Sequence, residues 1–373
     1  MADLHENLQE LRNISHNPKK QLDTYLSDGK QVIGAFPYYT PEVMADAAGI
    51  IPMGMWGAQT EFSLAKKYLV PFACPIMQAC MELGLQGKYA GVKAVMIPTM
   101  CDTLRDVTQD FKTGVKDIST IAYTLPQNRK LAAAKEYLIE ELTYVKEQIE
   151  KIYGVTITEE AMQKSIAVYN KHNSVMREFA AVANDHLDII TPAVRHSVFK
   201  SAWFMSKLEH TAAVEEIINQ LKALPVYNFT GHRLILTGIT AEPCSLLNIL
   251  SDNNFAVVGD DVAQEMRQYR TDIPEDTSSL ASLAQQWLNR SDPMAHDDHI
   301  DRVNLLEKLY KDNNADAILV CLMKFCDPEE YEFVAYNSAL KEAGIKVLSI
   351  DIDQQPNNYD QARTRIETLA ELL

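Results

Sequence analysis

The sequence predicts an α/β protein with two parallel-sheet domains separated by a large helical insert. Three observations lead there. Short apolar runs alternate with helical patterns before residue 128 and again after residue 228, as expected for strands joined by crossover helices. Between these regions the apolar residues recur at spacings of three, four and seven, the mark of amphipathic helices. Two apolar runs lead into the same dipeptide: 94–98 into Cys101-Asp102, and 317–322 into Cys326-Asp327. Further strands begin at Ile118 and Ile345, so each Cys-Asp pair belongs to a strand–helix–strand unit of similar length. Each half is thus Rossmann-like, with a cysteine just past the carboxyl end of a strand, where open α/β sheets bind ligands.

The chain divides on this reading into an N-terminal helical segment (1–30), a first α/β domain (31–127), a helical region (128–228) and a second α/β domain (229–373). In the first domain, strands are expected at 31–36, 50–53, 94–98 and 118–123. A short helix enters through Thr40 as N-cap and Pro41 as its first residue, and stops at Gly49. A longer helix spans Ile76 to Gln86. In the insert, Leu131, Leu138, Leu142, Val145, Ile149 and Ile152 form one stripe that ends at Gly154. Met162, Ile166, Tyr169, Met176 and Phe179 form another, entered through Thr158. Thr191-Pro192 and Thr211 open two more helices. The second domain has strands at 233–238, 255–258, 317–322 and 345–350.

At 373 residues the chain has room for two or three cores. Its 47% hydrophobic and 23% charged residues are ordinary for a soluble protein. A formal net charge of −16 argues against nucleic acid or an anionic membrane as a main partner. The first residues are polar and acidic, unlike a signal peptide, and no apolar run nears the ~20 residues of a membrane span. A cytoplasmic location is the expectation.

Six cysteines occur, at 74, 80, 101, 244, 321 and 326, and disulfides are not expected in such a chain. No C-x-x-C pair is present. A lone cysteine is most often a small buried hydrophobe. Cys321, inside an apolar strand, and Cys80, on a different helix face from Cys74, fit that description. Cys101 and Cys326 do not, being at strand ends in polar company. Cys74 precedes Pro75 at a helix start, where the helix dipole favours a thiolate. Cys244 competes, since it too follows a strand. Three thiolates from separate loops suit zinc or an iron–sulfur cluster equally, and these spacings match no standard cluster motif.

Two acidic features are weaker candidates. His296-Asp297-Asp298-His299 reads as a divalent-metal cluster or, more simply, a solvated loop. Asp260-Asp261, after the strand at 255–258, could orient a ligand or cap a helix. G-x-G-x-x-G, Walker A, G-x-S-x-G and H-E-x-x-H sequences are absent, which removes the usual support for dinucleotide, kinase and hydrolase readings.

Five stretches carry a family resemblance: Ala35-Phe36-Pro37-Tyr38-Tyr39-Thr40-Pro41-Glu42, the run from Ala47 to Gly57, Cys101-Asp102-Thr103-Leu104, Met323-Lys324-Phe325-Cys326-Asp327-Pro328-Glu329-Glu330, and Gln361-Ala362-Arg363-Thr364-Arg365. Over essentially its whole length the chain resembles the β subunit of 2-hydroxyacyl-CoA dehydratases, nearer the lactoyl-CoA and 2-hydroxyisocaproyl-CoA enzymes than the 2-hydroxyglutaryl-CoA enzyme. The resemblance implies a [4Fe-4S] cluster between the two α/β domains, held by only three cysteines, which match Cys74, Cys101 and Cys326 here. Cys244 and Cys80 match no ligand. It also implies a heterodimer with an α subunit that holds most of the acyl-CoA, and an ATP-dependent iron–sulfur activator protein that injects one electron. A flavin in the complex is a further expectation. The electron enters the thioester carbonyl, the ketyl radical expels the α-hydroxyl, and the electron is recycled. Such chemistry is needed because the thioester does not activate the β-hydrogen of a 2-hydroxyacyl-CoA; the cofactor performs the difficult step and the protein positions it. This chain is then an electron relay without a catalytic acid or base of its own. Asp102 and Asp327 could orient the neighbouring ligands. The competing readings are a benzoyl-CoA-reductase-like oxidoreductase subunit and a non-catalytic scaffold with a structural metal site.

Overall fold

The computed structural model describes residues 2–37, 39–290, 299–355 and 359–373. Helices α1 (Ala2–His16) and α2 (Pro18–Ser27) precede β1 (Gln31–Ala35), α3 (Glu42–Ala47), β2 (Ile50–Gly54), α4 (Pro75–Leu85), β3 (Ala94–Pro98), α5 (Asp102–Gly114) and β4 (Ser119–Tyr123). The insert comprises α6 (Ala133–Tyr153), α7 (Glu159–Ala183), α8 (Pro192–Ser201) and α9 (Lys207–Lys222). Then follow β5 (His232–Gly238), α10 (Cys244–Asp252), β6 (Phe255–Val262), α11 (Ser279–Asn289), α12 (His299–Asp312), β7 (Ala317–Met323), α13 (Asp327–Glu342), β8 (Val347–Ile352) and α14 (Asp360–Leu372).

The eight strands among the described residues pair in parallel, in two sheets ordered β2-β1-β3-β4 and β6-β5-β7-β8. The two halves therefore share one winding. In each, the chain reverses direction across the sheet after its first two strands, so the loops after β1 and β3, and after β5 and β7, diverge into a crevice. Cys101 follows β3 and Cys326 follows β7. Both strands are covered on two faces, which is why they read as unbroken apolar runs.

The insert forms where its stripes predict, except at Thr211 and at Leu131, which precedes α6 and is exposed. Gly154, at φ 70°, ends α6 in the left-handed conformation, and Thr158 and Thr191 cap α7 and α8 by accepting from Ala161 and Val194. Thr211, however, does not open a helix. It lies inside α9, its hydroxyl turned back to the Lys207 carbonyl, and Ser206 is the true cap, accepting from the Glu209 N–H. The Ser206-x-x-Glu209 spacing is a capping-box pattern, a stronger start signal than a lone threonine. Likewise Thr40 bonds the Phe36 carbonyl instead of capping α3, and Pro41 sits one position earlier than expected.

One apolar core runs through both sheets, from Ile33 and Ile97 past Leu138 and Val145 to Leu319 and Ile350. A second cluster binds α1 to α7, α8 and α9. The halves are also fastened by hydrogen bonds from the loop after β8. Gln354 donates to the Trp56 carbonyl (3.0 Å) and to Glu242 (3.2 Å), and Gln355 accepts from the Thr60 N–H (2.9 Å) and donates to the Ala58 carbonyl (3.2 Å). Gly57 sits inside this clasp at φ 70°, where a Cβ would meet Ala79 at 2.9 Å and Gln354 at 3.1 Å. Gly57→Ala is expected to cost about 1–3 kcal/mol from backbone strain and crowding; a urea midpoint equal to that of the parent would refute this.

Candidate metal centre

Cys74, Cys101 and Cys326 occupy one structural role three times: each is the N-cap residue of a helix, respectively α4, α5 and α13. The first-turn N–H groups lie around each sulfur, Met77 and Ile76 at Cys74, Leu104 and Thr103 at Cys101, and Glu329 at Cys326. None makes a full capping bond. Three partially positive helix ends thus face three sulfurs, an arrangement suited to holding negative charge.

The three are close enough to feel one another. A thiolate at Cys74 is opposed by Cys101 and Asp327, and one at Cys326 by Glu329, Cys74 and Cys101. Burial is the larger effect. It pushes the Cys74 thiol up to about 12, raises Cys101, and raises Cys326 well above the ordinary range. The helix dipole at Cys74 is therefore outweighed by desolvation, and without a counter-charge all three are neutral thiols. Among the described residues, no three His, Cys, Asp or Glu side chains converge closely enough to hold a single metal ion. The donor set fits a positively charged thiophilic group that lets each sulfur ionise.

The other cysteines are not helix N-caps at this place, although a thiolate at Cys80 would be opposed by Cys74. Cys80 is buried, its thiol donating to the Met55 carbonyl at 3.0 Å, and Cys321 is buried in β7. Cys244 opens α10 beside His16. Burial opposes its ionisation, but the His16 hydrogen bond and the charges of His196 and Lys200 hold it below the usual thiol range. It is an ionisable thiol in different company from the three. Asp102 is exposed and pairs loosely with Arg105 (3.4 Å). The His296–His299 cluster lies outside the described residues, except for the backbone of His299.

Asp260 and Asp261 lie inside a strand and not after it, and Asp260 accepts from the N–H groups of Val262 (3.0 Å) and of Met266 (3.1 Å), where a short 3-10 turn begins. The β5–β6 register shifts between Leu234 and Ile235, so that Val258 bulges and β6 continues through both aspartates. Both are buried in ion pairs. Arg195 bridges Asp260 and Glu265, while Asp261 meets Arg270 and Arg302 at 2.7 Å each and Arg267 at 3.1 Å. Arg302 continues to Glu332 (3.2 Å), on the helix that Cys326 caps. Glu329 on that helix is wholly buried, with neither carboxylate oxygen hydrogen-bonded among the described residues.

His196 links this layer to the clasp, 2.8 Å from Glu265 and 3.7 Å from Glu242. Burial disfavours its charge, but the two carboxylates outweigh that and push its pKa up to about 10. A folded pKa above the unfolded one gives stability that is complete below about 6.5 and is lost as pH rises through 10. Stability is therefore expected to fall between these pH values by up to about 1.4 kcal/mol per unit. His196→Gln should flatten that slope in urea titrations, and an unchanged slope would contradict it.

The surroundings of the thiols are apolar and open. Val70 and Phe72 precede Cys74, Phe325 precedes Cys326, and Tyr331 and Val334 stand on α13; all five are exposed, Tyr331 by 82%. Phe325 is held at φ 58°, a conformation rare for a bulky side chain.

The site so defined is a doubly wound α/β crevice that gathers thiols in place of a phosphate-binding loop. The sequence family of the 2-hydroxyglutaryl-CoA dehydratase D-component matches residues 37–373, and the chain belongs to that family. Full-length relatives include the (R)-phenyllactyl-CoA dehydratase beta subunit of Clostridium sporogenes, 41% identical over 100% of both chains. The lactoyl-CoA dehydratase subunit beta of Anaerotignum propionicum is 41% identical over 98% of each. The (R)-2-hydroxyglutaryl-CoA dehydratase subunit beta of Acidaminococcus fermentans is 36% identical over 98% of each. A benzoyl-CoA reductase subunit of Thauera aromatica is similar at 21% identity over 92% of this chain and 90% of its own. Among the described residues no helix is long and apolar enough to cross a membrane.

Proposed function

We propose that this chain is the β subunit of a 2-hydroxyacyl-CoA dehydratase and that Cys74, Cys101 and Cys326 hold a [4Fe-4S] cluster between its two α/β domains. The observation that carries this is the placing of three half-buried N-cap thiols, from three separate loops, near enough to disfavour one another's charge. Their need for a positive, thiophilic partner is met by zinc or by an iron–sulfur cluster, and the resemblance to the dehydratase β subunits favours the cluster. Such a cluster would supply one-electron transfer at low potential. The chain's own residues would fix its ligands at three helix ends and direct first-turn N–H groups toward the sulfurs. Asp102 and Asp327 directly follow two of these cysteines and would help to orient them.

The reading assigns the acyl-CoA, and the carbonyl that accepts the electron, mainly to a partner α subunit, with electrons arriving from an ATP-dependent iron–sulfur activator and with room for a flavin in the complex. The −16 charge and the missing phosphate loop agree with that division. The expected location is the cytoplasm. Identity of 36–41% to dehydratase subunits, against 21% to the benzoyl-CoA reductase subunit, favours a lyase in which the electron is recycled.

The partner subunit is assigned to the apolar collar around the thiols, because an exposed patch of this kind is costly unless covered. Replacing both Tyr331 and Val334 by Asp should weaken association with the α subunit by about a hundredfold or more, as loss of two apolar anchors implies. Unaltered co-purification would remove that assignment. The reaction itself is tested by assembling the chain with its α subunit and activator and offering a panel of 2-hydroxyacyl-CoA thioesters. Catalytic, not stoichiometric, electron use is expected, with 2-enoyl-CoA as product; stoichiometric electron uptake would favour the reductase.

A further inference from the structure

We infer a second binding site, for an amphipathic anion, in the cavity between the α1–α2 corner and the first sheet. The cavity measures about 390 Å³, within the range typical of ligand pockets. Its floor is apolar, formed by Met55, Trp56 and Phe204, all nearly fully buried. Leu83, near the far end of α4 from Cys74, borders it, and none of Cys74, Cys101 and Cys326 is in its lining.

Its mouth has the opposite character. No Asp or Glu lines the cavity, and its charged side chains are Lys19, Lys20 and Lys88, with His16 beside them. Lys19 is paired with Asp23, but Lys20 and Lys88 have no ion pair among the described residues. In a chain of net charge −16, a mouth lined by cations alone creates a local positive potential against the average field. The N-terminus of α2 opens at the same corner, and its cap residue Asn17 makes no side-chain capping bond.

These two halves select one ligand chemistry. A small hydrophilic anion would satisfy the lysines and leave the apolar floor wet. A neutral apolar molecule would cover the floor and gain nothing at the mouth. A medium-chain or aryl carboxylate does both, body against Met55, Trp56 and Phe204, carboxylate toward Lys20 and Lys88.

The test is calorimetric titration of the anaerobically purified chain with octanoate, octan-1-ol and acetate. Octanoate should bind in a one-to-one complex, with the alcohol and acetate weaker by about tenfold or more. Reversing both free lysines, Lys20→Glu with Lys88→Glu, should weaken octanoate by at least about tenfold and leave octanol unchanged. These lysines are exposed, so the variant should keep the parent circular dichroism. Octanoate binding no tighter than octanol or acetate, or binding indifferent to the charge reversal, overturns the site. Repeating the titration on the assembled dehydratase closes the question: retained binding supports a ligand site, and binding abolished by assembly shows the cavity to be covered by the partner subunit and overturns it.

Discussion

Cys326→Ala is expected to yield a folded but colourless protein that supports no dehydratase activity when assembled with its partners. The same outcome is expected for Cys74→Ala and Cys101→Ala. With three protein ligands, loss of one leaves two thiols, which are neutral when buried and cannot retain the group that ionised them. The folding cost should be small by comparison. Each of the three is partly exposed, and none makes a capping hydrogen bond that alanine would break. Cys244→Ala is the informative control. Its thiol answers to His16, His196 and Lys200, so the variant should keep its colour and iron. Loss of colour in Cys244→Ala, with retention in Cys74→Ala, would mean the wrong cysteines have been assigned. Asp102→Asn and Asp327→Asn should lower activity by no more than about 10- to 100-fold, the usual effect of groups that orient a ligand without binding the metal.

Asp261→Asn is expected to be strongly destabilising, more so than the loss of any one of the three thiols. Asp261 is completely buried and takes salt bridges from Arg267, Arg270 and Arg302. Removing its charge leaves three guanidinium groups compressed around a neutral amide. Breaking one partner of a buried ion pair costs about 3–5 kcal/mol, and here one carboxylate serves several cations. The damage should also reach the metal centre. Arg302 ties Asp261 to Glu332, and Glu332 stands on the helix whose first residue follows Cys326. Thermal denaturation should show a large fall in midpoint, with iron lost before or together with the fold. A variant with parent stability would mean that the arginines find other partners and that this layer does not support Cys326.

How much of this was legible beforehand depended on the range of the interaction. The strands carrying Cys101 and Cys326 were readable because a strand buried on both faces must be a continuous apolar run, and both placements agree with the fold within a residue. Gly154, Thr158 and Thr191 were readable because helix ends are set by local backbone hydrogen bonds. Thr211 misled for the same reason: a threonine before an apolar stripe resembles a cap, and only the Ser206-x-x-Glu209 spacing reveals the earlier start. Asp260 and Asp261 were misplaced because a bulge leaves no signature in the side-chain pattern, and two consecutive aspartates read as the end of a strand. Their neutralising arginines lie up to 65 residues away, at Arg195. The Gln354–Gln355 clasp was invisible because its partners sit almost 300 positions earlier in the chain. Pattern alone placed Cys74 at a helix start but could not join it to Cys101 and Cys326. Family resemblance proposed that grouping, and the fold gives all three the same cap position.

The most direct test is the iron and acid-labile sulfide content of the chain purified without oxygen, read with its electron paramagnetic resonance spectrum after reduction. The account predicts about four iron and four sulfide per chain and a cluster signal that disappears in Cys326→Ala. A colourless protein with stoichiometric zinc and no sulfide would contradict it.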